Sequence, residues 1–216
     1  MFLLDLDREP LEETARTIGA NVVTHVGDVR EPDAVRDAFR RLDDALGGVD
    51  VLVNSAGVYE EQPFLVVEEK DWERTVSVNL DGTFLVSQMA ARRMTRDGGG
   101  SIVHLSSTAG RTGDTAPISV YAASKGGVLG ITRQMAAELG PLGIRVNAVL
   151  PGPIETRMVK IAKANPGFDP WVRDFVPMKR CGRPEEVADV LLFLASDDAS
   201  YVTGALIPID GGSLAL

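Results

Sequence analysis

The chain has 216 residues, enough for one domain with a sizeable core, and its 44% hydrophobic and 25% charged residues are an ordinary globular mixture. With 31 acidic against 22 basic residues the formal net charge is −9, which argues against nucleic acid or an anionic membrane as partner, since phosphate-rich surfaces attract Lys/Arg-rich faces. A single cysteine, Cys181, rules out an internal disulfide, and two histidines leave too few ligands for a Cys/His zinc cluster, so no metal site is expected.

The longest apolar run, "VLLFLA" at 190–195, is far short of the roughly 20 residues of a membrane span, and no signal-peptide pattern opens the chain. A soluble, cytoplasmic protein is expected. Cys181 sits in a polar turn with no histidine nearby in sequence, which suits a space-filling residue better than a nucleophile.

Residues 2–4 read as the tail of a buried strand, with Asp5 at its tip. Residues 10–18 look helical, ending at Gly19, and "NVVTHV" (21–26) is a second strand. From Pro32 to Leu46 apolar residues recur at helical spacing, with proline in the first turn and Gly47–Gly48 beyond the end. "VDVLVN" (49–54) is an unalternating apolar run, expected of a strand buried on both faces. Residues 68–96 predict a long helix, 101–107 a strand, 121–139 a helix, 144–150 a strand, 184–195 a helix and 205–210 a last strand.

Such alternation predicts an α/β domain, a doubly wound parallel sheet spanning 1–216 as one unit. The Pro- and Gly-rich segment 151–183 is expected to be irregular and to act as a substrate lid. Within 101–107, His104 is expected to be a satisfied core histidine rather than a catalytic one.

Ligands of such sheets bind beyond the carboxyl ends of the strands. Those ends carry Asp5, then Gly27–Asp28–Val29, then Asn54–Ser55–Ala56–Gly57, then Ser106–Ser107, then Pro151–Gly152. On the helix after 107, Tyr121 and Lys125 are spaced to share a face.

This set resembles the short-chain dehydrogenase/reductase family from residue 1 to 212. The family's Asn-Asn-Ala-Gly is met by "NSAG" (54–57), its mid-helix asparagine by Asn79 in "VNLDG", and its serine by Ser107 in "SSTAG". Its Tyr-x-x-x-Lys is met by Tyr121 and Lys125, its Pro-Gly-x-x-x-Thr by "PGPIET" (151–156), and its C-terminal signature by "TGALIPIDGG" (203–212). The loop between Ser107 and Tyr121 is one residue longer than the family pattern. A lone Tyr-x-x-x-Lys is a weak signal, but six motifs in order are a strong one.

The resemblance implies a Rossmann-like fold and an NAD(H)-dependent interconversion of a secondary alcohol and a ketone. Tyr121 would be the acid/base, Ser107 would hold the substrate oxygen, and Asn79 would hold a water linking Lys125 to solvent. A tyrosine of pKa ~10 is a poor base at neutral pH, and a lysine ammonium beside it favours the phenolate. Lys125 and Tyr121 would also bind the nicotinamide ribose. The cofactor would further meet Asn54, Ala56, Gly57, Pro151, Gly152, Ile154 and Thr156 at the nicotinamide end, and Asp28 and Val29 at the adenine. Asp5, with Leu6 beside it, would accept the adenosine ribose hydroxyls and repel a 2′-phosphate, favouring NAD over NADP.

Trp171, Phe168 and Phe175 would make the lid apolar, with Arg157, Lys160, Lys163 and Arg173 interspersed. That suits a medium-sized alcohol or ketone that could carry an anionic group. A homo-oligomer, dimer or tetramer, is expected through the helices at 68–96 and 121–139.

One family element is not found in the sequence: the first strand with its Gly-rich loop and helix, which cradle the cofactor pyrophosphate. Such a strand would lie between residues 2–4 and 49–54, so two facing strand edges are expected. Two readings follow. Either an NAD-dependent oxidoreductase is represented here without about 30 N-terminal residues, or this is a non-catalytic family member that folds by oligomerising. A third reading, a 3-oxoacyl-carrier-protein reductase-like enzyme, is weakened by Asp5, because those enzymes usually take NADPH.

Overall fold

A computed structural model describes residues 1–113, 115–163 and 166–215, the side chains of 160–162 excepted. Strand β1 (Phe2–Asp5) leads into helix α1 (Arg8–Ile18), which stops at Gly19, where φ is +94°. Strand β2 (Val23–Val26) returns parallel to β1, Phe2 opposite Val23. Helix α2 (Pro32–Leu46) begins on its proline, which lacks only an N–H that has no intrahelical partner there, and ends on left-handed Gly47.

Strand β3 (Val51–Asn54) pairs with β4 (Gly100–Leu105), β4 with β5 (Ile144–Pro151) and β5 with β6 (Leu206–Ile209), all parallel. Helices α3 (Glu69–Val76) and α4 (Gly82–Asp97) are joined without a break by a π-helical turn over Ser77–Asp81. Helix α5 (Ser119–Leu139) connects β4 to β5, and α8 (Pro184–Ala195) precedes β6.

The strands are thus parallel and flanked by helices, as expected of an α/β Rossmann-like fold. They fall into two hydrogen-bonded sheets, β1-β2 and β3-β4-β5-β6. Among the described residues no strand joins them, and β1 and β3 each pair on one side only.

Strands β4 and β5 explain themselves by their two-residue period. Ile102, Ile144 and Val146 pack with α2 and α4, through Val35, Phe39 and Met94. Val103 and Val149 face the other way, onto Val187 and Leu194 of α8. Each such side chain, fully buried, contributes roughly 1.5–3 kcal/mol. Strand β3 departs from expectation. Leu52 joins the α2/α4 cluster, but Val51 and Val53 are each 42% exposed, so its apolar run is not buried on both faces. The physical reason is its position: among the described residues β3 has β4 as its one strand neighbour, so its other side is left open.

Segment 151–183 is also more ordered than expected. It contains helices α6 (Arg157–Ala162) and α7 (Phe168–Phe175). Ile154 pairs with Gly182 and is buried with Val187 and Leu194 in the α8 cluster, which pins the base of the segment to the core.

His104 is fully buried and lies between two hydroxyls, each at 2.9 Å. The Thr132 hydroxyl donates to the carbonyl of Val128, so His104 Nδ1 must donate to Thr132, leaving Nε2 to accept from Ser87. Burial, with the nearby charge of Lys125, pushes its pKa down to about 4. It is a neutral core residue. No described helix is long and apolar enough to cross a membrane, and the described residues form no cluster able to hold a metal ion.

Candidate active site

The site is assembled where β3, β4 and β5 end and α5 begins. Ser107 stands two residues beyond β4 and Tyr121 occupies the first turn of α5; both line one cavity, and Ser107 is near enough to favour the Tyr121 phenolate. The Ser107 hydroxyl also accepts from the backbone N–H of Ala109 at 3.2 Å, fixing its direction. Lys125, one turn below Tyr121, is buried. Its ammonium donates to the carbonyl of Leu105 at 2.9 Å and lies 5.8 Å from the centre of the Tyr121 ring.

The loop after Ser107 is held against α5 by close backbone approach. Ser106 donates to the carbonyl of Lys125 at 2.8 Å. A Cβ on Gly110 would come within 2.6–2.8 Å of the Lys125 and Gly126 backbone, so only glycine permits this contact.

Asn79 sits in the π-helical turn, fully buried. Its side-chain oxygen accepts from Val58 N–H at 2.7 Å, and its amide donates to the Val58 carbonyl and to Ser124, both at 3.0 Å. Ser124 in turn donates to the carbonyl of Tyr121 at 2.8 Å. Asn79 therefore ties the Gly57–Val58 backbone to α5, and a π-turn is a frequent way to aim one functional side chain. These bonds use both N–H donors of the amide and one lone pair of its oxygen, so the oxygen retains acceptor capacity on the side it shares with Lys125. At Gly57, an added Cβ would meet Asn79 Oδ1 and Lys125 Nζ at 3.3 Å each, so these residues do converge.

The electrostatics differ from expectation. Burial pushes the Tyr121 phenol up, and the hydrogen bond from Ser107 opposes this only in part. Burial pulls Lys125 down to about 8. The lysine charge does not dominate the tyrosine here because the ammonium faces the ring and a carbonyl rather than the phenol oxygen. At neutral pH the phenol keeps its proton.

The expected cofactor residues are distributed as follows. Asn54, at the end of β3, is buried, and its Nδ2 is a donor without a partner among the described residues. Ala56 and Gly57 follow it, and Pro151 and Gly152 end β5. Thr156 is exposed and bonds the carbonyl of Ile154, whose side chain packs in the α8 cluster while its backbone follows the cavity-lining Gly152 and Pro153. At the far end, Asp5 closes β1 and Leu6 follows it, both exposed, the Asp5 carboxylate accepting from Asp7 N–H. Both Asp28 oxygens bind Arg30, which lowers the Asp28 pKa, and Val29 packs on Gly82. Asp28 is thus occupied by an arginine in this structure.

A cavity of about 320 Å³ opens over Ser107 and Tyr121, walled by Phe168, Trp171, Met158 and Ile118. Three of the four basic residues expected in this wall are not in its described lining. Lys163 pairs with Glu155 and Arg173 with Asp174, Arg157 is exposed outside the lining, and the side chain of Lys160 lies outside the described residues. Two residues not singled out from sequence do line it: Tyr59, edge-on to Tyr121 at 5.0 Å between ring centres, and Glu61. Their only sequence signal is that they closely follow the "NSAG" turn. Cys181 is half-buried and its thiol is pushed up by burial, which fits a space-filling residue.

A family model described as enoyl-(acyl carrier protein) reductase matches residues 1–213. The chain is 41% identical over 211 residues to a 3-oxoacyl-[acyl-carrier-protein] reductase of Thermotoga maritima, covering 96% of this chain and 85% of that one. It is 40% identical over 215 residues to a galactitol 2-dehydrogenase (L-tagatose-forming) of Cereibacter sphaeroides, covering 98% and 84%. A gluconate 5-dehydrogenase from Burkholderia cenocepacia, solved in complex with NADP and tartrate, superposes with a TM-score of 0.93 at 32% identity, covering 100% of this chain and 85% of that one. Matches of this extent to named oxidoreductases place the chain in the short-chain dehydrogenase/reductase family, as an enzyme of ketoreductase type.

Proposed function

We propose that the protein is an NAD(H)-dependent oxidoreductase that interconverts a secondary alcohol and a ketone, with Tyr121 as the acid/base. The observation that carries this reading is that Ser107 and Tyr121 line one largely apolar cavity together, with Lys125 buried one helical turn away.

The nicotinamide cofactor, when bound, supplies or accepts the hydride. Lys125, Tyr121, Asn54, Ala56, Gly57, Pro151, Gly152 and Thr156 are the residues to hold its reactive half. The partnerless, buried Asn54 Nδ2 supports that fit, because a buried donor costs about 1–3 kcal/mol until an acceptor arrives. Asp5, Leu6, Asp28 and Val29 are the residues for the adenosine half, with Arg30 the group that Asp28 would have to share.

In the reductive direction a ketone oxygen accepts hydrogen bonds from Ser107 and Tyr121, and Tyr121 gives its proton to the developing alkoxide. A phenol held up by burial is protonated at neutral pH, so it carries the proton that the developing alkoxide needs. Ser107 and the apolar walls hold the carbonyl carbon in position, and the walls keep bulk water from the reacting atoms. Asn79 acts as a positioning residue through Val58 and Ser124.

The carboxylate of Asp5 is the reason for preferring NAD, since it would repel a 2′-phosphate. Parallel measurements of kcat/KM with NADH and NADPH test this: NADH is expected ahead by at least about tenfold, and an NADPH preference overturns it. The name of the Thermotoga relative and the apolar cavity favour one second reading, reduction of a 3-oxoacyl thioester. Faster turnover of such a thioester than of simple ketones would select it. The half-exposed Phe84 on α4 fits a homo-oligomer joined through the long helices, to be checked by sedimentation.

A further inference from the structure

Within the cavity over Ser107 and Tyr121, Glu61 is the one charged residue among the described lining side chains. Its neighbour Glu60 is paired with Arg74, but no cation pairs with Glu61 among the described residues. Its partner is the Tyr59 hydroxyl, which donates to Glu61 Oε1 at 2.6 Å. Tyr59 is itself seated edge-on against Tyr121. The carboxylate is therefore tied, through one rigid ring, to the residue that would handle the substrate proton.

We propose that Glu61 determines substrate class: it accepts a hydrogen bond from a hydroxyl on the substrate and repels substrates bearing a carboxylate. The proposal rests on the reading of this cavity as a ketone or alcohol site. Three features support it. The hydrogen bond from Tyr59 engages one carboxylate oxygen, so the group has remaining acceptor capacity. The wall of Phe168, Trp171 and Met158 is mostly apolar and presents no charged group, so Glu61 is the strongest acceptor among the described lining side chains. Among the described basic side chains of the lid, Lys163 and Arg173 are paired with Glu155 and Asp174, and Arg157 is not in the lining. The class selected is an uncharged hydroxy-ketone or polyol of which one part meets the apolar wall while a hydroxyl reaches the rim.

A matched series of 5-hydroxy-2-pentanone, 2-pentanone and levulinate varies only the group at the end of the chain. Binding is read from the fluorescence of Trp171 in the cavity wall, with Trp72→Phe as background, and turnover is read separately with each nicotinamide cofactor. A charge-assisted hydrogen bond at a partly wet rim is expected to favour the hydroxy-ketone over 2-pentanone by about tenfold. Levulinate should bind more weakly than either. Glu61→Leu should collapse the hydroxy-ketone advantage to within about twofold, and Glu61→Lys should move levulinate to first place.

An unchanged binding order in Glu61→Leu overturns the proposal. So does a wild-type preference for levulinate, or no saturable response to the hydroxy-ketone. Selective binding without turnover would leave the role of Glu61 standing and refute the oxidoreductase reading instead.

Discussion

Lys125 is placed so that function costs stability, and the cost can be measured. The lysine is buried and its pKa falls from 10.5 to about 8, because burial disfavours the ammonium. At about 1.4 kcal/mol per tenfold change, keeping it charged at pH 7 costs the folded state about 3 kcal/mol. The sign follows from proton counts. Between pH 8 and 10.5 the unfolded chain holds this proton and the folded chain has released it, so stability rises with pH through that window.

By pH 10 the remaining cost is about 1 kcal/mol. Lys125→Met keeps the length of the side chain without the charge. Urea unfolding of both proteins at pH 7, 8, 9 and 10 should show wild type gaining about 2 kcal/mol relative to the variant. Tyr121, whose pKa is raised, opposes the trend only above pH 10 and is common to both proteins. The variant gives up the bond to the Leu105 carbonyl at every pH, which offsets its level but not its slope. A pH-independent difference between the two would refute the assignment of a buried, depressed lysine. Ketone reduction should fall by roughly 10²-fold or more in the variant.

Three further outcomes follow from the geometry. Tyr121→Phe removes the proton donor while keeping the ring against Tyr59, so single-turnover ketone reduction should drop by about 10²–10⁴-fold. Gly110→Ala forces a Cβ into the α5 backbone and should destabilise the protein by about 1–3 kcal/mol in urea titrations, with activity reduced as Ser107 shifts. His104→Gln tests the neutral core histidine. Wild type should lose about 3 kcal/mol more than the variant as pH falls from 6.5 to 4, because the unfolded imidazole takes a proton that the folded one refuses. Parallel acid titrations of the two would contradict this.

The order of strands and helices was legible because apolar period and punctuation are local properties. Pro32 and Gly47 bound α2, and the buried runs of β4 and β5 carry Ile102 and Val103 to opposite faces. The chemical residues were legible for a related reason. Ser107, Tyr121 and Lys125 stand at a strand end and one helix face, which the topology brings together whatever the rest of the chain does. Other features depended on partners distant in sequence. The run 49–54 reads as buried, yet Val51 and Val53 are half-exposed because burial is set by neighbouring strands and covering helices. That the Ile154 side chain packs in the α8 cluster could likewise not be read locally, since Val187 and Leu194 lie more than 30 residues on.

By itself, then, the sequence determined an α/β alternation and a serine–tyrosine–lysine constellation at the strand ends, because spacing along one strand or helix dictates which residues share a face. Tertiary structure alone decided the charge state and the lining of the site. Tyr121 goes up and Lys125 down because both are enclosed. Asp28 is taken by Arg30, and Glu61 is the charged member of the described cavity lining, because ion pairs and cavity walls are made by side chains that only folding brings within reach.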